Sequence, residues 1–306
     1  MRIDSITYFN SALAGMRDNQ SAIARLNQQL AADQRLLQPK DDPVATEEVL
    51  QLSNRVAART QYANNQDRAS IALKYESTVL SELRDTLVNI KDLLAGTVAG
   101  SDTSLRGVVA QKIQGLSRQV LDLANTRDPS GNYIFGGFDT VNRPFANPLD
   151  GTLTATTYGG TPNPGGTRSI EVEVGRFVQV NDNLDAVFQH GVAGSDLLQE
   201  LDDAATNLDG ATVTQADITG WMALVQTALG NLDAISYRVT AAHGEVDDVR
   251  TTSKALKLIE QNALSDLQSL DKASAILELQ TRQTALEAAQ RAYAMTSDLS
   301  LFNFLG

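Results

Sequence analysis

The sequence predicts a mainly α protein: a long antiparallel coiled-coil rod of N- and C-terminal helices with a small β-rich insert domain in the middle. Three observations predict it. Narrow apolar stripes run along both ends of the chain. A third stripe, after residue 43, is too long for a globular-domain helix. From about 138 to 183 the helical period gives way to Gly, Pro, Thr and Asn.

The N-terminal stripe is Ile6, Phe9, Leu13, Met16, Ile23, Leu26, Leu30 and Leu37, spaced in the threes and fours of an amphipathic helix. This helix is expected to end near Leu37, because Pro39 and Pro43 do not fit inside one straight helix. Asp42 before Pro43 reads as an N-cap with proline at the first helical position, and Glu47 and Glu48 lie near the positive end of the next helix. That helix runs to about Leu94 on Val49, Leu52, Val56, Ala63, Leu73, Leu80, Leu83, Leu87, Ile90 and Leu94. Arg59, Gln66 and Ser70 interrupt its seam, as polar residues that fix register do. At ~1.5 Å per residue it is a rod roughly 75 Å long.

A turn at Gly96 to Ser101 leads to a third helix, about Ser104 to Thr126, with Leu105, Val108, Val109, Ile113, Leu116, Val120 and Leu123 inward. Asp128-Pro129-Ser130-Gly131 is a turn, and Tyr133-Ile134-Phe135 a short strand before Gly136-Gly137. Within the insert, Thr152–Tyr158 and Ser169–Val174 alternate as strands. Gly159-Gly160 and Gly165-Gly166 read as hairpin turns. A helix from about Ser195 to Leu208 follows, then one carrying Trp221 as a packing anchor, which continues past a candidate kink at Gly244 to the C-terminus. The C-terminal stripe is Leu256, Ile259, Ala263, Leu267, Leu270, Leu277, Ala285, Ala288, Ala292, Met295, Leu299 and Phe302. The expected domains are 1–38 with 262–306 as a terminal coiled coil, 39–137 with 184–261 as a helical rod, and 138–183 as a β-rich outer insert.

Composition narrows function by exclusion. A net charge of −12 argues against nucleic acid as a partner. No run approaches the ~20 apolar residues of a membrane-inserted span. The absence of cysteine excludes disulfides and thiolate chemistry. The opening segment has one basic residue and no continuous apolar core, so a cleaved signal peptide is not expected.

Candidate chemistry is thin, and neither an enzyme, a metal nor a cofactor is expected. His190 and His243 lie in no ligand-spaced cluster. Gly194-Ser195-Asp196 lacks the second glycine of a nucleophile elbow, and Asn181 to Asp185 lacks the glycine and final glutamate of a calcium loop. Asp202-Asp203 and Asp247-Asp248 read as solvated helix faces, and the threonines of 152–157 as an exposed strand open to glycosylation. What remains is an assembly seam of Ile6, Phe9, Leu13, Met16, Ile23, Leu30, Leu267, Leu270, Leu277, Leu299, Phe302 and Leu305, and a hinge at Asp41, Asp42 and Pro43. A narrow seam cannot build a globular core alone. It needs the other end of the chain or a neighbouring molecule, and both ends are expected to be largely disordered until they find it.

Several segments resemble the bacterial flagellin family. Asp41-Asp42-Pro43-Val44-Ala45 is similar to the family's turn after the first helix, and Gln61-Tyr62 with Asn64-Asn65 to the middle of its long helix. Leu123-Ala124-Asn125 and Gly131-Asn132-Tyr133-Ile134-Phe135-Gly136-Gly137 resemble the approach to the outer domain in the family's hook–filament junction members. Ser300-Leu301-Phe302-Asn303-Phe304-Leu305 is similar to their closing segment. The sequence departs from filament flagellins around the Asp41-Asp42 turn, where Leu36-Leu37-Gln38-Pro39 precedes it and Pro43-Val44-Ala45 follows. The resemblance implies a structural subunit that forms a ring-like assembly with itself and joins hook-associated protein 1 to flagellin. It implies passage through the flagellar type III export system, a cytoplasmic export chaperone, and a final extracellular place at the hook–filament junction of the flagellum. The alternative it leaves is a filament flagellin.

Overall fold

A computed structural model describes residues 2–100, 102–145, 166–189, 196–208 and 213–305. Seven helices and one antiparallel hairpin are defined among them: α1 (Arg2–Ala32), α2 (Pro43–Ala95), α3 (Thr103–Ala124), β1 (Ser169–Glu173), β2 (Arg176–Gln179), α4 (Asp185–Phe188), α5 (Leu197–Leu208), α6 (Gln215–Gln268) and α7 (Lys272–Leu305). The mainly α class with a small β element is therefore the observed one. The chain divides into two compact units, one of 1–58 with 255–306 and one of 59–254.

The second unit holds almost all of the core. Leu73, Leu80, Leu83, Leu87, Ile90 and Leu94 of α2 are fully buried, and α6 faces the same core with Ile218, Trp221, Val225, Leu229, Leu232 and Val239. The α2 stripe is thus fully buried from Leu73 to Leu94, where the sequence placed it, whereas Val49, Val56 and Ala63 are half-buried, and Trp221 is a packing residue. On α3 the expected face holds from Val109 to Leu123, with Ile113 and Val120 buried and Val109, Leu116 and Leu123 packed half-buried against the core, and it differs in the first turns. Leu105 and Val108 are exposed, while Arg106, Ala110, Ile113, Val120, Leu121 and Ala124 are buried. The cause is polar. The guanidinium of Arg106 donates to the Ala99 carbonyl and, at 3.3 Å, to the Leu208 carbonyl at the end of α5, which holds Arg106 inward where Leu105 and Val108 were expected.

The loop after α3 forms the expected turn. Asp128 Oδ1 accepts the Ser130 and Asn132 amides at 2.8 and 2.9 Å, with Gly131 at φ +86°. No strand forms at Tyr133–Phe135; Tyr133 makes an isolated bridge to Arg127, its amide donates to the Thr140 carbonyl at 2.9 Å, and the three side chains are buried. Gly136 and Gly137 are required there. A Cβ on Gly136 would lie 2.1 Å from the Asp139 carbonyl oxygen, and one on Gly137, at φ +63°, 2.7 Å from that of Gly166.

The hairpin pairs Ile170 with Val178 and Glu171 with Phe177, and it packs on the helices with Val172 and Val178 buried in the core. Two α2 side chains tie it down: Asn65 donates to the Glu171 carbonyl at 2.8 Å, and Gln66, 1 % exposed, to that of Val172 at 2.9 Å. The expected strand at 152–158, the turn at Gly159-Gly160, and the segments holding His190 and Gly194-Ser195 lie outside the described residues.

Candidate assembly site

In the terminal unit α1 packs along α7. Leu13, Met16, Ile23 and Leu30 on α1 are half-buried, as are Leu267 at the end of α6 and Leu270 just beyond it. On α7 the residues turned inward are Ala275, Leu279, Leu286, Ala289 and Tyr293, whereas Leu277 is 66 % and Met295 68 % exposed. Arg282 of α7 reaches Asn19 of α1 at 3.3 Å. The side chains of Ile6, Phe9, Leu299, Phe302 and Leu305 lie outside the described residues. Among those described, the unit buries only four apolar side chains, Leu26, Ala45, Leu52 and Ala275.

The hinge residues sit in a densely bonded turn. Asp33 takes a left-handed conformation, φ 55°, and so ends α1 at Ala32 rather than near Leu37. Asp41 Oδ2 accepts the Leu37 and Gln38 amides at 3.3 and 3.0 Å. Asp42 Oδ1 accepts the Ala45 amide at 3.0 Å and caps α2, with Pro43 as its first residue.

This turn is stapled to a second break in the chain. The C-terminal stripe reads as one continuous helix in the sequence, but it is interrupted between Gln268 and Lys272. The Arg35 amide donates to the Gln268 carbonyl at 2.9 Å, and the Arg35 guanidinium to the Leu267 carbonyl at 3.2 and 3.3 Å. The same guanidinium faces Asp42 at 3.5 Å, Gln29 donates to the Arg35 carbonyl at 2.6 Å, and Lys272 pairs with Asp33 at 2.9 Å. Asp271 caps α7 by accepting the Ala273 and Ser274 amides at 3.1 and 3.2 Å and the Ser274 hydroxyl at 2.7 Å, bonds that hold its carboxyl below the usual range. The Asp271…Ser274 spacing was the available signal for this break; the apolar stripe running through it hid the interruption.

One arrangement elsewhere resembles hydrolytic machinery. Ser70 Oγ lies 3.3 Å from His243 Nε2, and His243 Nδ1 3.3 Å from Asp247, in a groove of about 690 Å³ between α2 and α6. All three residues sit inside long helices, where backbone amides are committed to helix bonds and cannot form an oxyanion hole. Among the described residues no group of three His, Asp or Glu side chains is placed to hold a metal ion, and no helix is long and apolar enough to cross a membrane.

Comparison with known proteins agrees with this geometry. Residues 3–140 match the bacterial flagellin N-terminal helical region. The chain is 27 % identical to flagellar hook-associated protein 3 of Escherichia coli and 23 % identical to that of Salmonella typhimurium, each over 99 % of both chains. Its fold is similar to that of a flagellar hook-associated protein of Vibrio parahaemolyticus, with TM-score 0.67 and 19 % identity over 75 % of this chain and 100 % of that one. It is also similar to the flagellar junction protein of Legionella pneumophila, with TM-score 0.57 and 17 % identity over 72 % of this chain and 99 % of that one.

Proposed function

We propose that this chain, whose residues 3–140 match the flagellin N-terminal helical region, is a structural component of the flagellum and forms the joint between hook and filament. In this reading it assembles with copies of itself, binds hook-associated protein 1 on one side and flagellin on the other, leaves the cell through the flagellar type III channel, and is held beforehand by an export chaperone. The observation that carries the proposal is the end-to-end similarity to flagellar hook-associated protein 3, at 99 % of both chains. The thin terminal core supports it, because a unit that buries four apolar side chains among its described residues gains much of its stabilisation from surfaces it meets on assembly.

The stapled turn supports a mechanical role. Pro43 fixes the first turn of α2 while Arg35 binds the carbonyls that end α6, so bending at this place changes two chain breaks together. A joint between a flexing hook and a stiff filament needs a site of this kind. Immunogold electron microscopy of intact flagella tests the function. Label confined to a zone just beyond the hook supports the junction, and label along the whole filament makes the protein a flagellin. Pro43→Ala tests the hinge: filaments no more easily sheared from variant cells refute it. Deleting the chain after Leu270 should abolish capture by the export chaperone, and unchanged pull-down would sink that assignment.

A further inference from the structure

Deep in the second unit lies a pair of acidic residues that the assembly role does not use. Glu76, in the middle of α2, is fully buried. Its Oε1 accepts the Asp182 backbone N–H at 2.8 Å, and its Oε2 makes no hydrogen bond. Asp182 follows β2 and is 3 % exposed; its carboxylate is bonded by Arg238 of α6 and by Gln179 at 2.6 Å. Arg168, just before β1, acts electrostatically on Glu76, yet its buried Nε bonds to nothing. The cations around the pair are therefore unequally used: Arg238 serves Asp182, and no guanidinium is bonded to Glu76.

An ionised carboxylate buried without a bonded cation is costly, and a proton removes the cost. We propose that Glu76 and Asp182 form a protonation-dependent latch that fastens the β1–β2 hairpin to α2 and α6, holding a proton while the hairpin is seated and releasing it when the hairpin lifts. The hairpin's amide ties to Asn65 and Gln66 do not titrate, and its ion pair to α6, Arg176 with Glu245 at 2.7 Å, is exposed to solvent, so the buried pair is where pH acts most on its seating. Burial first, and the Asp182 charge second, push Glu76 up from 4.5 to about 8, against smaller opposing effects of the Asp182 amide, Arg238 and Arg168. Asp182 is also raised by burial, with Arg238 and Gln179 opposing.

The direction of the pH dependence follows. A carboxyl group whose seated value lies above its free value favours the seated form fully below pH 4.5, and this advantage is lost as pH rises to about 8. Within that window one proton is released on opening, so the opening constant rises about tenfold per pH unit. Two measurements on the full chain test the latch. The first is NMR titration of the Glu76 side-chain carbon; the second is hydrogen exchange of the peptide spanning 169–182 between pH 6 and 9, corrected for intrinsic rates. The expected results are a Glu76 midpoint near 8, and an opening constant that climbs to that pH, levels off above it, and becomes flat in Glu76→Gln. A midpoint near 4.5 would show an ionised Glu76 paired with Arg168 and overturn the proposal, as would an unchanged pH slope in Glu76→Gln. If that variant does not fold, Asp182→Asn serves: it should lower the Glu76 midpoint, and an unmoved midpoint refutes the pairing.

Discussion

Trp221, the only tryptophan, is 7 % exposed in the core of the second unit, so its fluorescence reports the unfolding of that unit. Leu87 is fully buried in the same core, and truncating it to alanine removes its packing and leaves a cavity, at a cost of about 3 kcal/mol. With a urea dependence of about 2 kcal/mol per molar for a unit of this size, Leu87→Ala should lower the Trp221-monitored midpoint by roughly 1.5 M. Leu26 has nearly the same burial, 4 % exposed, but belongs to the terminal unit. Leu26→Ala should move the Trp221 midpoint by less than about 0.3 M, since stability is not uniform along a chain and weakly packed segments open separately. The same substitution should speed hydrogen exchange along α1 and α7. A Trp221 midpoint that falls as far for Leu26→Ala as for Leu87→Ala would show a single cooperative unit and refute the division on which the assembly argument rests.

Four further substitutions probe particular contacts. Gly136→Ala places a methyl against the Asp139 carbonyl and should lower the thermal midpoint, while Gly115→Ala, with open space around the new Cβ inside α3, should raise stability by about 0.5–1 kcal/mol; the opposite order by calorimetry contradicts the close approach at Gly136. Gln66→Leu strands the buried Val172 carbonyl and should cost about 1–3 kcal/mol in urea unfolding, and a neutral result would mean that the hairpin is not held by this bond. Asp42→Ala removes the α2 cap and a partner of Arg35, and should cost about 1 kcal/mol locally, seen as faster exchange in the first turn of α2 and at the α6–α7 break; exchange accelerated at only one of the two places would disprove the staple.

Long helices with one apolar face were legible from residue spacing alone. The α2 stripe from Leu73 to Leu94 is fully buried at its predicted positions, and the buried Thr86 hydroxyl in this stretch does not disturb it because it donates to the Glu82 carbonyl of the same helix at 2.8 Å. Where polar groups set the geometry, spacing misled. On α3, Arg106 reaching two carbonyls outweighed the apolar character of Leu105 and Val108. Gln66 and Ser70 looked like interruptions of a seam, yet Gln66 holds the hairpin and Ser70 meets His243, contacts made to segments 106 and 173 residues away that no local pattern encodes. Glu76 was missed for the same reason: its environment is built by Asp182, Arg168 and Arg238 from other parts of the chain. The Asp42 cap was visible because a cap is local, whereas the Arg35 staple was not, since its acceptors lie 232 residues away.

α7 shows why a seam can be right in period and ambiguous in phase. Ala275, Leu279, Leu286, Ala289 and Tyr293 form its inward face. Leu277 and Met295 are separated by about five helical turns and share a different, exposed face. Both sets repeat in threes and fours, so spacing cannot choose between them. The predicted stripe, with Leu277, Ala288 and Met295, fell on the exposed set. A helix that serves only as the partner of α1 needs one apolar face, and polar residues on the other would keep it soluble. This chain instead keeps leucine and methionine in water on a unit with four buried apolar side chains among its described residues, and it exposes Leu258 and Ile259 of α6 in the same unit. Exposed apolar surface of this kind gives nothing to the isolated chain, and its burial becomes favourable only against another surface. The second face of α7 is therefore the part of the terminal unit best matched to the self-assembly proposed above, while the inward face serves the fold of the single chain.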